Sequence, residues 1–186
     1  LGGTDMAVNS IVSLLSDSEL KRLWSPGRVD RKKILGITEP AALLVSFGVD
    51  LMQYYKMITD MIPAEQEEAV ESRMDAFAQK SGIDLETEVF GNLTGSLNYA
   101  MYDGASITLM NYNALFTAGV KDEQVMEAVL GKVVESLPQD KQAMISRQKV
   151  GKTEAYVVNA GVAQLYAGVD DSKFLLAAGK PMFENA

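Results

Sequence analysis

The chain contains no histidine and no cysteine. Without imidazole there is no Ser-His-Asp relay, and no side chain whose ordinary titration falls near neutrality. Without thiols there is no sulfur nucleophile, disulfide, iron–sulfur cluster or cysteine-based zinc site. Long apolar runs are also missing. The longest stretch without a charge, Gly104 to Val120, carries Ser106, Thr108, Asn111, Asn113 and Thr117. That is too polar for a membrane span. Basic residues are outnumbered, 17 Lys and Arg against 25 Asp and Glu, for a net charge of −8. Affinity for a phosphate backbone comes from Lys and Arg, so no nucleic acid partner is expected. The chemistry left open is that of carboxylates, Lys, Ser/Thr, Tyr and oxygen-bound hard cations.

What is present suits a folded globular chain: 47% apolar and 23% charged residues over 186 positions. That length fits one domain, or two small similar halves. Ser16-Asp17-Ser18-Glu19 has capping-box spacing ahead of an apolar stripe, Leu20, Leu23 and Trp24. Ser25-Pro26-Gly27 stops that helix, and the basic stretch Arg28 to Lys33 reads as a solvated connection. Ala42 to Val49 reads as a strand, and Asp50 with Gln53 starts a helix that Pro63 breaks. Glu65 to Lys80 reads as a further helix, stopped at Ser81-Gly82, and Leu85 to Leu93 as a short helical turn.

From Leu97 the period changes to two. Leu97, Tyr99 and Met101 alternate toward a hairpin turn at Asp103-Gly104, with Ile107 and Leu109 on a second strand and Leu115 to Val120 on a third. Asp122 caps a helix whose face is Val125, Met126, Val129, Leu130, Val133, Val134 and Leu137, ended by Pro138. Four strands should follow as a meander, Ile145 to Val150, Glu154 to Val158, Ala163 to Val169 and Phe174 to Ala178. Two junctions look alike: Phe47-Gly48-Val49-Asp50 and Ala118-Gly119-Val120-Lys121-Asp122 each join a strand to an acid-capped helix that a proline ends. Duplication and chance similarity both account for them.

Few motifs point to chemistry. Gly151-Lys152-Thr153 resembles the end of a phosphate loop, but Ser146 stands where that loop needs its first glycine, and a strand follows. Ser18-Glu19-Leu20-Lys21 has the Ser-x-x-Lys spacing of acyl-transfer enzymes without their partner motifs, and Ser146 with Lys149 repeats that spacing. Asn92-Leu93-Thr94 is a glycosylation sequon. The ten Met residues fall mainly on apolar faces and read as core. The informative feature is charge. Residues 41–110 hold three basic and eleven acidic side chains, while the flanking parts nearly cancel. Glu67, Glu68, Glu71 and Asp75 share one side of a helix, with Asp84, Glu86 and Glu88 just beyond it. A solvated outer face is the plain reading; a basic partner or a loosely held divalent cation are the functional ones. No calcium-hand loop occurs, and no catalytic, cofactor or metal-ligating residue is assigned.

Several segments resemble poorly characterised bacterial exported proteins, often lipoproteins, of domain-of-unknown-function families. They are Gly82-Ile83-Asp84-Leu85, Phe90 to Leu97, Ala118 to Asp122, Leu165 to Val169 and the late strand Phe174 to Ala178. The resemblance spans about residues 40–186 and implies an extracytoplasmic α+β chain in the periplasm or at the cell surface. It brings no catalytic residue. The start at Leu1 rather than Met leads to the expectation of a processed piece, with a lipid anchor upstream.

The expected fold is α+β, with antiparallel sheet or sheets covered on one face by amphipathic helices, in two similar strand–helix–hairpin halves. Residues 1–40 form an N-terminal helix and connection packed on the rest, 41–110 the first half, and 111–186 the second half with its C-terminal meander. The expected function is a non-catalytic binding or scaffolding module of an exported envelope protein. Its partner would be a basic protein or envelope component. The alternatives are a carboxylate- or Ser/Lys-based hydrolase and a structural repeat unit of a longer exported protein.

Overall fold

The computed structural model describes residues 43–102, 113–161, 163–184 and 186. The expected helix after Ser16, the Ser18–Lys21 pair, the turn at Asp103-Gly104 and the strand at Ile107 and Leu109 lie outside them.

Seven strands make one antiparallel sheet. They are β1 (Leu43–Gly48), β2 (Leu93–Tyr102), β3 (Asn113–Val120), β4 (Ile145–Val150), β5 (Thr153–Ala160), β6 (Ala163–Asp170) and β7 (Lys173–Ala178), in the spatial order β1-β2-β3-β7-β6-β5-β4. The last four strands are sequential neighbours, as their short connections require. Their turns carry the backbone strain: Gly151 and Gly161 have φ of 62° and 72°, and Asp171 and Ser172 have 49° and 56°. Paired positive φ values at Asp171-Ser172 match the twist of the strands they join.

Alternation was read correctly in β2, but its extent differs from expectation. Among the described residues, β2 pairs with β3, from Tyr102↔Asn113 up to Leu93↔Val120. Period two shows that a strand has two faces; it does not say which strand lies beside it. The strand also starts four residues earlier than Leu97. Gly95, with φ of 84°, sits inside it at a register shift between Leu93 and Leu97. A glycine that looks like a strand boundary in sequence is here a bulge.

Asp50 accepts from the Gln53 amide at 2.9 Å and starts α1 (Leu51–Asp60). Pro63 precedes α2 (Ala64–Ser81), which Gly82 ends in the left-handed conformation. A π-helical turn, Leu85–Phe90, leads into β2. Tyr55 of α1 stacks on Phe90, with ring centroids 4.9 Å apart. Asp122 accepts from the amides of Gln124 and Val125 and starts α3 (Glu123–Ser136). After Pro138 come α4 (Gln139–Gln142) and β4, so α3 carries the chain from β3 to the opposite edge strand. Among the described residues no helix is long and apolar enough to cross a membrane.

The registers place whole rows of side chains on one face. One row runs Leu44, Ala100, Leu115, Ala177, Tyr166, Val157, Ser146. Its centre is the main core, closed by Met182 and Phe183 of α5 (Lys180–Glu184). This closing helix was not read from the sequence. Gly168 makes it fit: a Cβ there would stand 2.9 Å from the Phe183 ring. The adjacent row on that face is polar at one end. Ser46 donates to Asn98 at 2.7 Å, and buried Asn98 donates to buried Thr117 at 3.1 Å.

The opposite face carries the row Val45, Tyr99, Phe116, Leu176, Ala167, Tyr156, Arg147. Helix α3 lies on it. Met126 and Val129 pack with Val120, Val169 and Ile83 in a second core. Val133, expected on the apolar stripe of α3, is instead 41% exposed, because the stripe runs past the edge of that cluster.

Candidate functional site

The four carboxylates expected on one side of α2 are together and exposed: Glu67, Glu68, Glu71 and Asp75. Only Ser81 is buried in this 18-residue helix, and the helix meets the rest of the chain through half-buried Val70, Met74 and Ala78. Helical spacing puts Arg73 and Lys80 on the other side. Among the described residues, none of the four carboxylates forms an ion pair.

Asp84, Glu86 and Glu88 are arranged differently. Asp84 accepts from the amides of Glu86 and Thr87 at 3.0 and 3.1 Å, starting the π-helical turn. Glu88 reaches back to the Asp84 amide at 3.0 Å and holds the Lys132 ammonium at 2.6 and 2.8 Å. The bond from Lys132, then that from the Asp84 amide, holds the Glu88 carboxyl below its usual range. Hydrogen bonds from Thr87, before any charge effect, do the same for Asp84. Asp84 thus caps the turn and Glu88 fastens it to α3, while Glu86 stays exposed. Among the described residues there is no group of three or more acidic side chains placed to hold a metal ion.

Other motifs resolve structurally. Gly151-Lys152 is the turn between β4 and β5, and Thr153 opens a strand. Ser146 and Lys149 are three apart on β4, hence on opposite faces of the sheet. Asn92 is buried, and its amide nitrogen donates to the Asp122 carbonyl at 2.8 Å. The sequon's acceptor atom is thus engaged within the fold.

A groove of about 460 Å³ opens between α3 and strands β4 and β5. Tyr156 is its floor. Gly131 is a notch in its helical wall: a Cβ there would stand 3.4 Å from the Tyr156 hydroxyl. Glu127 and Glu135, one turn before and after Gly131, line the same wall. From the sheet, the Arg147 guanidinium lies 5.8 Å from the Tyr156 ring centre and 3.7 Å from Glu154. None of these residues stood out in the sequence. The available signal was Gly131 inside an amphipathic helix, which marks a close approach.

The chain matches no family model, no curated protein and no solved structure. Fold and site therefore rest on their own geometry.

Proposed function

We propose that this chain is a non-catalytic binding or scaffolding module of an exported bacterial envelope protein, and that it engages a basic partner. The observation that carries this reading is α2. A helix that buries one residue in eighteen contributes little to the core. Its exposed side holds four carboxylates that form no ion pair among the described residues. Such a surface raises the encounter rate with a cationic protein and disfavours an anionic one. The extracytoplasmic placement rests on the resemblance of the segments between Gly82 and Ala178 to exported proteins.

The test is association with a short fluorescent oligolysine peptide, followed by anisotropy at several salt concentrations. Wild type should bind, with affinity falling as salt rises. Changing Glu67, Glu68, Glu71 and Asp75 to their amides should weaken binding at low salt several-fold while the protein stays folded. Binding that is unaffected by all four changes removes the support for a basic partner.

A further inference from the structure

We infer that the apolar end of the sheet face beside α3 is a docking surface, and that its occupant is a segment of this same chain, residues 8–24.

One row of side chains crosses all seven strands on this face, from Leu43 through Met101, Ala114, Ala178, Leu165 and Val158 to Ile145. Every member is apolar and none is buried. The neighbouring row, Val45 to Arg147, carries one charge, Arg147 on the edge strand, and again has no buried member. On the other face Ala100, Leu115, Ala177, Tyr166 and Val157 are all buried. Among the described residues, the core under α3 gathers one row further on, at Val169 and Phe174. Seven strands about 4.8 Å apart make the open strip about 29 Å wide. An apolar strip of this extent is what interaction surfaces show.

The chain itself supplies a cover of matching character. Residues 8–24 lie outside the described residues, and their sequence carries two apolar stripes. Val8, Ile11, Val12 and Leu15 have helical spacing, and so do Leu20, Leu23 and Trp24. The capping box from Ser16 to Glu19 separates the two, so each can turn its own stripe to one surface. Eight residues of helix rise about 12 Å, so the two together run about 24 Å, close to the width of the strip.

The connection decides between occupants. Leu43, where β1 begins, is itself the first member of the open row. The 18 residues between Trp24 and Leu43 reach about 60 Å when extended, about twice the width of the sheet. The segment is thus tethered at the edge of the face it fits, at an effective concentration that a free partner seldom matches. A second copy could lay the same face on its own, but each chain carries a net charge of −8, which opposes that association.

The chain has one tryptophan, Trp24, and no cysteine, which makes the test clean. Trp24 emission in the full chain should lie to the blue of its position in urea; equal positions overturn the inference. Bimane on a single introduced cysteine is quenched by tryptophan on near-contact. The label on Leu176→Cys, or on Leu165→Cys, sits at a partly exposed position of this face. It should be several-fold dimmer than in the same variant carrying Trp24→Phe. The label on Gln148→Cys, exposed on the opposite face, should show no such difference. Leu20→Asp with Leu23→Asp should restore the emission at position 176, with the circular dichroism of the sheet kept. No Trp24-dependent loss at either face position, an equal loss at position 148, or quenching that persists in the double variant overturns the inference. So does quenching that arises only when labelled Trp24→Phe chains are mixed with unlabelled wild type, because the face is then covered by a second copy.

Discussion

Asn92 and Asp122, thirty residues apart, are joined as though they were paired strand residues. The Asn92 amide donates to the Asp122 carbonyl at 2.8 Å, and its oxygen accepts from the Asp122 amide at 2.8 Å. The Asn92 carbonyl also accepts from the Lys121 amide at 2.8 Å. One buried side chain thus ties the start of β2 to the cap of α3. Asn92→Ala leaves the Asp122 amide without its partner and the Asp122 carbonyl with the Met126 amide alone, at 3.3 Å. The expected cost is about 1–3 kcal/mol, the range for one abandoned group. Urea unfolding measures it. A loss below half a kilocalorie would mean the junction is held by something else.

Gly95 passes against the backbone of Val49, whose amide donates to the Gly95 carbonyl at 2.9 Å. A Cβ at Gly95 would overlap the Val49 carbonyl oxygen, and the residue has φ of 84°. Gly161 has φ of 72° but nothing within 4 Å. Gly161→Ala should therefore cost only the left-handed penalty, about 1–2 kcal/mol. Gly95→Ala should cost clearly more. Melting the two variants side by side separates conformation from collision.

Leu175 and Leu176 are chain neighbours on opposite faces of β7, 2% and 38% exposed. Leu175→Ala should cost about 2–5 kcal/mol, the range for emptying a core position. Leu176→Ala should cost under about 1 kcal/mol, since it is half in water already. Equal losses would contradict the assignment of faces.

Acid should loosen the π-helical turn. The Glu88 and Asp84 carboxyls are held below their usual range in the fold. A lowered folded-state value contributes stability that is present above the unfolded-state value, about 4. It is lost as pH falls through the lowered one. Stability of the wild type should therefore drop as pH falls below about 4, and more steeply than in a Glu88→Gln variant. Unfolding curves collected across that range test the sign. The Lys132 pair itself is half-exposed and worth about 1 kcal/mol or less at neutral pH.

On α2, four like charges repel, and none forms an ion pair among the described residues. Glu68→Gln with Glu71→Gln should stabilise the protein by a few tenths of a kcal/mol per relieved pair. Added sodium chloride should do likewise, with no extra gain from calcium at equal ionic strength. A melting temperature raised by calcium beyond that, and no longer raised in the double variant, would instead show a bound cation.

Much of the local structure was legible because it depends on short-range chemistry. Asp50 and Asp122 are good caps wherever they precede helical stripes, and Pro63 and Pro138 cannot continue a helix. The four-stranded meander followed from alternation and its turn residues, and its neighbours from connection length. The acidic side of α2 followed from helical spacing alone. The residues of the groove did not. Arg147 and Tyr156 look like any outward strand residues until register places them side by side on adjacent strands.

The sequence by itself determined most of the described helices and strands, though not α5, where most of them stop, and that most of the excess negative charge gathers between residues 60 and 88. Those properties are set by neighbours a few residues away. Only the tertiary structure decided that β3 lies between β2 and β7, that α3 crosses to the far edge, and that Asn92 serves Asp122. It also decided that Gly131 opens onto Tyr156 while Gly168 opens onto Phe183. Each of these is a contact between distant residues, chosen by the register and packing of the whole sheet. Period and propensity, which are local, do not select among such pairings.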